Sequence, residues 1–347
     1  MSVAMKIPPA VVKRVTRGEP RLGASVVGSG TNFGVVTDAD AITLVIDDGE
    51  GPQRIEVDGE YQTGTVLHCH VDGVGAGARY HYERFIGGEW RRLIDPYARA
   101  LSGVESWAPR TPEHPATGVV VPVSAFDWQN TRPPKRAWED TIIYEVHVRG
   151  FTNHPSAKVD HPGTYAALVQ KIPFLSDLGV TAVELLPVFE FIESENERRN
   201  PDTGEELCNY WGYSPISFFA PKAAYASVNE PLSVLNEFRD MVRAFHASGI
   251  EVILDVVFNH TGPASLKYLA PEIYYIHEPD GSPTNYSGCG NTLNCNHPVV
   301  ADLIVDALRH WAIDMGVDGF RFDLASIMSR GQHGEVLTSP SVLERIS

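Results

Sequence analysis

The chain has 347 residues, of which 43% are hydrophobic and 21% charged, a composition ordinary for a globular protein. Its formal net charge of −16 argues against nucleic acid or an anionic membrane surface as a partner, whereas a neutral polar ligand such as a sugar fits. The N-terminus lacks the apolar core of a signal peptide, and no apolar run approaches the ~18 residues of a membrane span. We therefore expect a soluble cytoplasmic protein.

The first third of the chain has the pattern of a β domain. After a lead-in at residues 1–19, residues 20–127 hold short runs rich in β-branched and aromatic residues, and turns rich in glycine and aspartate separate them. Such spacing predicts a β-sandwich. His68 and His70 share one strand face, but no further ligand cluster accompanies them, so a structural role is favoured over a metal site.

The pattern changes after a linker at 128–138, which contains the stiff stretch Arg-Pro-Pro-Lys. In the following residues, 139–347, apolar strands alternate with amphipathic helices. The strands are expected at 141–148, 181–186, 251–258 and 319–324, and the helices at 163–178, around 235–245 and at 299–315. This alternation predicts parallel βα units. Four such strands amount to half of an eight-stranded (β/α)8 barrel, so only about the first four βα units are present.

Polar side chains follow the last two of these strands, where they end. Asn259 and His260 come after the third strand, and Arg321 and Asp323 lie two residues apart at the end of the fourth. In parallel βα folds the chemistry gathers at the carboxyl ends of the strands. The loops after strands two and three are also aromatic, which suits a sugar, because ring faces stack on its C–H groups. The aromatic residues are Tyr210, Trp211, Tyr213, Tyr274, Tyr275 and Tyr286.

Two motifs in this region resemble a known family. Residues 255–261 (Asp-Val-Val-Phe-Asn-His-Thr) and 319–326 (Gly-Phe-Arg-Phe-Asp-Leu-Ala-Ser) are similar to the first and second signature regions of the α-amylase family of glycoside hydrolases. The stretches 144–152, 209–221 and 286–298 resemble the isoamylase and glycogen-debranching branch. In that branch a β-sandwich module of the glycan-binding type precedes a (β/α)8 barrel, and residues 20–127 fit that module more loosely.

The resemblance implies a role for each matching residue. Asp323 matches the catalytic nucleophile, which forms a covalent glycosyl-enzyme, and Arg321 matches the arginine that orients it. Asp255 matches an aspartate that supports the arginine. The remaining residues are expected to bind the sugar: His260, Tyr213, Trp211 and Asn259. No cofactor and no obligatory metal are implied, and the implied partner is an α-glucan such as glycogen, amylopectin or a limit dextrin.

One part of the family pattern is not found. A retaining glycosidase needs a second carboxyl group as general acid, and the family places it on a glutamate after the fifth strand. Glu335 lies in a polar loop and Glu344 on the following helix, so neither has the right context. We expect the general acid to be missing, and this chain to be the N-terminal part of a debranching enzyme.

Three functions stay open at this point. The first is hydrolysis of α-1,6 branch points with retention of configuration, in glycogen or starch metabolism. The second is a glucan-binding or regulatory protein without catalysis. The third is another reaction of the same family, a branching transfer or the formation of trehalose. The sequence leaves the oligomeric state open.

Overall fold

The computed structural model describes residues 13–107, 116–123, 126–195 and 198–347. The N-terminal part holds eleven strands in two antiparallel sheets. These strands are β1 (Val15–Thr16), β2 (Gly23–Val27), β3 (Gly30–Val36), β4 (Ile42–Asp47), β5 (Gln53–Val57), β6 (Gln62–Thr63), β7 (Val66–Asp72), β8 (Arg79–Ile86), β9 (Glu89–Leu93), β10 (Leu101–Ser102) and β11 (Thr117–Val119).

The two sheets meet through apolar side chains. The first has the order β1-β7-β3-β2 with β6 beside β7, and the second has the order β10-β11-β8-β4-β5 with β9 beside β8. The rings of Phe33 on β3 and Tyr80 on β8 lie 5.1 Å apart, and both side chains are buried. The β-rich N-terminal region predicted from the sequence is therefore confirmed.

The rest of the chain is built on a parallel sheet of four strands in the order β12-β13-β14-β15. These strands are β12 (Ile143–Val146), β13 (Ala182–Leu185), β14 (Glu251–Val256) and β15 (Gly319–Phe322). The α-helices are α1 (Val148–Thr152), α2 (Tyr165–Val169), α3 (Ile172–Asp177), α4 (Pro231–Ala247), α5 (Leu266–Leu269), α6 (Pro271–Tyr274), α7 (Pro298–Arg309) and α8 (Ser341–Ile346). A π-helical turn, His310–Asp314, extends α7. The parallel βα pattern predicted from the sequence is confirmed.

The two faces of this parallel sheet differ in polarity, because successive side chains of a strand point to opposite faces. Val252, Leu254 and Val256 of β14 are fully buried. Asp255 points to the other face, as does its register partner Arg321 on β15. That second face is where the predicted polar residues gather.

Two predicted elements differ in the structure. The helix expected at 163–178 is divided into α2 and α3, because Pro173 in the first turn of α3 has no N–H to donate to the preceding turn. The strand expected at 319–324 ends at Phe322. Leu324 then takes a left-handed conformation, with φ of 44°, at the start of the 3-10 turn Ala325–Ser329. Asp323 lies between this strand end and the turn, and its N–H still donates to the Val256 oxygen of β14 at 3.0 Å.

The N-terminal sheets contact the loop that follows β14. Arg84 on β8 donates to the backbone oxygens of Tyr268 and Leu269, at 2.6 and 3.1 Å. The Thr37 hydroxyl donates to the same Leu269 oxygen, at 2.8 Å. The sheets therefore support the segment that carries α5 and α6. Within the described ranges, no helix is both long and apolar enough to cross a membrane.

Candidate active site

The carboxyl ends of β14 and β15 bring three predicted residues together. Arg321 Nη1 donates to Asp255 Oδ1 and to Asp323 Oδ1, each at 3.0 Å. The Asp255 side chain is almost fully buried, the Asp323 side chain is 17% exposed and that of Arg321 is 46% exposed. One guanidinium thus joins a buried carboxylate to one that solvent or a ligand reaches.

Burial and pairing act on these charges in opposite directions. Burial raises the pKa of Asp255, although hydrogen bonds from Tyr213 and Arg321 counteract it. Burial lowers the pKa of Arg321, but the hydrogen bonds to Asp255 and then Asp323 outweigh it, so its pKa is raised overall. Arg321 is therefore a permanent cation beside Asp323, which is the electrostatic condition for an ionised nucleophile.

Asn259 and His260, directly after β14, hold Asp323 from the other side. Asn259 Nδ2 donates to Asp323 Oδ2 at 3.1 Å and to its backbone oxygen at 3.0 Å. Asn259 Oδ1 lies 2.6 Å from His260 Nδ1. Burial lowers the pKa of His260, whereas a hydrogen bond with the Tyr213 backbone and the charge of Asp323 act against this. The two Asp323 oxygens thus have different donors, which fixes the orientation of its carboxylate.

A cleft of about 520 Å³ opens beside this cluster. The Tyr213 hydroxyl donates to Asp255 Oδ2 at 2.5 Å, and the Trp211 ring lies 6.3 Å from the Tyr213 ring. Trp211 is 65% exposed, so its ring is open to a ligand in the cleft. The lining residues are Glu195, Cys208, Asn209, Tyr210, Trp211, Tyr213, Ser214, His260 and Cys289.

Sequence reasoning missed the residues that hold the aromatic loop in place. Glu195 accepts from Asn209 Nδ2 at 2.6 Å and from Ser214 Oγ at 2.9 Å, and burial raises its pKa. His147 bonds to the Tyr210 backbone oxygen at 2.8 Å, and its ring stacks on the Tyr210 ring at 4.5 Å. His147 directly follows β12, so the gathering of functional residues at the carboxyl ends of strands could have indicated it, whereas Glu195 lies well inside the long loop after β13.

Not every aromatic residue expected near a sugar lies on the cleft. Tyr274 and Tyr275 are 1% and 5% exposed and belong to the hydrophobic core, so their assignment to a sugar surface was wrong. Tyr274 is the last residue of the short helix α6 and Tyr275 follows it, at an end of the helix that is buried in the protein. Tyr286 is more exposed, but the guanidinium of Arg330 lies 4.2 Å above its ring.

Within the described ranges, no group of three or more His, Cys, Asp or Glu side chains is placed to hold a metal ion. His68 instead bonds to Thr63 Oγ1 at 2.9 Å and to the Arg17 backbone oxygen at 2.8 Å. Glu335 accepts from the His333 backbone at 3.0 Å, and Glu344 is exposed on α8. Glu335 therefore lies in a loop and Glu344 on a helix, as the sequence predicted.

A larger cavity, of about 910 Å³, lies between the N-terminal sheets and the helices α4 and α7. Tyr97, Trp128, Arg239 and Asp314 are among its lining residues, whereas Asp323 and His260 are not. Size alone does not make it the active site, because the paired carboxylates and the exposed tryptophan are elsewhere.

Comparison with known proteins agrees with the geometry. Residues 136–271 match the catalytic domain of the α-amylase family. Isoamylase 1, chloroplastic, of Oryza sativa subsp. japonica is 41% identical over 92% of this chain and 43% of its own length. A glycogen debranching enzyme of Klebsiella pneumoniae (strain 342) is 38% identical over 90% of this chain and 51% of its own length. The chain thus spans about half the length of the curated relatives it matches.

Solved structures of pullulanases share the fold. The pullulanase from Paenibacillus barengoltzii in complex with maltohexaose and α-cyclodextrin superposes with a TM-score of 0.76 at 25% identity, over 90% of this chain and 50% of that one. The pullulanase from Anoxybacillus sp. LM18-11 in complex with maltotetraose gives a TM-score of 0.72 at 30% identity, over 89% of this chain and 45% of that one.

Proposed function

Because residues 136–271 match the catalytic domain of the α-amylase family and nine tenths of the chain match isoamylases and a glycogen debranching enzyme, we propose that it carries the nucleophile half of a debranching active site. The substrate would be the α-1,6 branch points of glycogen or amylopectin. The observation that supports this most strongly is the Asp323 carboxylate, held by Arg321 and Asn259 beside an aromatic cleft.

The proposed chemistry begins at Asp323. Its ionised carboxylate attacks the anomeric carbon of the sugar, the bond to the leaving glucosyl oxygen breaks, and a covalent glycosyl-enzyme forms. Water then hydrolyses this intermediate with a second inversion, so the configuration is retained overall. Arg321 and Asn259 aim the two carboxylate oxygens, which reduces the reorganisation that the attack requires. Asp255 keeps Arg321 in place.

The cleft supplies the sugar contacts in this proposal. The exposed ring of Trp211 and the half-buried ring of Tyr213 offer faces for stacking on glucose, and His260 offers a hydrogen bond to its hydroxyls. The pullulanases of the comparison are described in complex with maltohexaose and maltotetraose, which are α-glucan oligomers. An α-glucan is therefore the partner that we propose for this chain.

A complete retaining site requires a general acid, at ~5–5.5 Å from the nucleophile. We propose that the four parallel strands are the first half of a (β/α)8-type barrel and that the acid comes from sequence outside this chain. In this proposal residues 20–127 form the β-sandwich module, 128–138 the linker and 139–347 the half barrel. The expected cytoplasmic location stays a prediction; the isoamylase relative from rice is described as chloroplastic.

The proposal is tested with a substrate that needs no acid. Fluoride departs from an α-maltosyl fluoride without being protonated, so a nucleophile alone can form the glycosyl-enzyme. We expect one maltosyl group on the intact 347-residue chain, located on Asp323 by peptide mass spectrometry, and none on D323N. We also expect no reducing ends from amylopectin. Labelling of D323N, or labelling of the wild-type chain only at other residues, would refute the assignment of Asp323 as nucleophile. Release of reducing ends would show that this chain supplies its own general acid.

An exposed pair of aromatic side chains on the N-terminal sheets favours the second candidate, a glucan-binding protein without catalysis. Phe85 and Trp90 face each other across β8 and β9, at 60% and 59% exposure, with their rings 5.6 Å apart. Arg54 lies 5.2 Å above the Trp90 ring. Maltohexaose binding that W90A abolishes and W211A preserves, together with no labelling of Asp323, would favour this candidate. A branching transferase would instead transfer glucan without a net gain of reducing ends.

A further inference from the structure

Two of the four cysteines lie on the same cleft. Cys208 belongs to the long loop after β13, and Cys289 belongs to the loop after β14. Both thiols are free and exposed, and both line the 520 Å³ cleft together with Trp211 and His260. Two thiols from loops far apart in sequence therefore line one cleft, where the proposed sugar site opens.

The other two cysteines differ from them in exposure. Cys69 and Cys295 are about 1% exposed. Burial raises the pKa of each to about 12, so almost no thiolate forms at neutral pH. The Cys295 thiol also donates to the Phe258 backbone oxygen at 3.2 Å. Because the thiolate is the nucleophile in disulfide exchange, only the cleft pair is available to a reagent in solution.

The two cleft cysteines are held differently. Cys208 sits on a fixed segment, because Leu207 N donates to Arg198 O at 2.8 Å and Asn209 N donates to Glu193 O at 2.7 Å. Cys289 instead occupies the tip of a turn between Gly288 and Gly290. Both glycines have positive φ values, 77° and 95°, and the space where a side chain would lie is open at both. Within this turn, Cys289 N donates to Ser287 Oγ at 3.1 Å and Gly290 N donates to Asn285 Oδ1 at 2.7 Å. Cys208 is thus tied to distant segments of the chain, whereas Cys289 is held by hydrogen bonds within its own turn.

We propose that Cys208 and Cys289 form a disulfide across the mouth of the cleft, and that this bond excludes α-glucan from it. The exclusion of α-glucan rests on the proposed function, whereas formation of the disulfide does not. A disulfide requires Cα atoms within about 7 Å of each other, so the proposal includes an inward shift of the Cys289 turn. The bridge would lie beside Trp211 and His260, in the space that a sugar ring needs.

The oxidant is a small-molecule disulfide of the glutathione type. One cysteine thiolate attacks a sulfur of that molecule, so a mixed disulfide forms and one small thiolate leaves. The second cysteine thiolate then attacks the protein sulfur of the mixed disulfide and expels the other small thiolate. In total, two protein thiols are oxidised, one external disulfide is reduced to two thiols, and the two protons from the cysteines pass to the released thiolates.

The covalent part is tested by mass spectrometry of the intact chain after incubation with oxidised glutathione. The expected product has lost two hydrogens and carries no glutathione, and its non-reducing peptide map joins the peptides of Cys208 and Cys289. Dithiothreitol restores the original mass. C208S and C289S each should stop at a glutathione adduct, because the resolving thiol is missing. Persistent adducts on both cysteines of the wild-type chain, or a bridge to Cys69 or Cys295, would overturn the pairing.

The functional part is tested by maltohexaose binding, measured on the same protein before and after oxidation. We expect at least a tenfold loss of affinity in the oxidised wild-type chain and recovery with dithiothreitol. A bridge that leaves the affinity unchanged would refute the exclusion of glucan. If the reduced chain binds no maltohexaose, the proposed function fails instead, while the peptide map still decides whether the bridge forms.

Discussion

Two clusters beside the parallel sheet each place one cation between two carboxylates, and they differ in exposure. In the closed cluster, Lys222 Nζ lies 2.6 Å from Glu190 Oε1 and 2.8 Å from Glu193 Oε1, and all three side chains are at most 3% exposed. In the open cluster, Arg321 joins Asp255 to Asp323 and is 46% exposed. Both have a formal charge of −1 when ionised, so charge alone does not distinguish them.

The difference lies in access. Lys222 donates to Glu190 Oε1 at 2.6 Å and to the Phe191 backbone oxygen at 2.9 Å, and its side chain is fully buried, so no ligand reaches it. In the open cluster, the Asp323 side chain is 17% exposed. The comparison indicates that a buried ion cluster of this composition is structural when it is closed, and becomes a candidate for chemistry when one carboxylate is left accessible.

The largest effect is expected from removing the cation of the closed cluster. K222M would leave two carboxylates in a site without water, and breaking a buried pair in this way costs about 3–5 kcal/mol of folding free energy. Urea denaturation of the variant and the wild-type chain measures the loss. K222M/E190Q/E193Q is the matched rescue, because it removes the charges as well as the lysine. A triple variant no more stable than K222M would show that packing rather than charge explains the loss.

R321M is the corresponding change in the open cluster. Arg321 is half exposed, but its loss leaves the buried Asp255 without its cation, so R321M should cost about 1–3 kcal/mol of stability, less than K222M. Labelling of Asp323 by α-maltosyl fluoride should nevertheless disappear, since the carboxylate loses the cation that orients it. Comparable destabilisation by R321M and K222M would remove the distinction between the two clusters.

The closed cluster should also make the stability of the chain depend on pH. Burial raises the pKa of Glu190 from 4.5 to about 7, against the opposing effect of Lys222. A carboxyl group whose pKa is higher in the folded state binds more protons when folded, so its contribution to stability is lost as pH rises from about 4.5 to about 7.

E190Q isolates this contribution. The free energy of unfolding of the wild-type chain should fall relative to that of E190Q by about 1–3 kcal/mol between pH 5 and 7. Asp95, whose pKa burial raises to about 6, gives the same sign but is present in both proteins. Parallel stability curves for the two proteins would show that Glu190 titrates as it does in the unfolded chain.

The open cluster could be predicted from the sequence, whereas the closed one could not. Arg321 and Asp323 alternate with Phe320 and Phe322, so a period of two places them on one face. The partners in the closed cluster come from irregular segments, where no periodicity relates Glu190 to Lys222. For the same reason the thiols and the glutamate that line the cleft were missed. Local patterns predict which face a side chain occupies, but they do not predict which loops meet.

The smallest effect is expected from a residue that acts on the cleft through its loop. His147 Nδ1 accepts from Gly150 N at 2.8 Å, so the ring proton is on Nε2, which donates to the Tyr210 backbone oxygen at 2.8 Å. H147F would keep the stacking on Tyr210 but lose these two hydrogen bonds and a third, between Nε2 and the Tyr225 hydroxyl at 3.2 Å, each worth about 1 kcal/mol. Because Trp211 follows Tyr210 directly, we expect maltohexaose affinity to fall threefold to tenfold.

The closed cluster supports the same loop from its other side, because Asn209 N donates to the Glu193 backbone oxygen at 2.7 Å. Glu195 holds it as well, so H147F tests one of several supports, which is why its expected effect is modest. H154A is the matched control, since His154 is exposed and bonds only within its own turn, to Ser156. Binding is followed by Trp211 fluorescence, with W211A to subtract the other tryptophans. If H147F binds maltohexaose as tightly as H154A does, His147 supports the fold rather than the position of the aromatic loop.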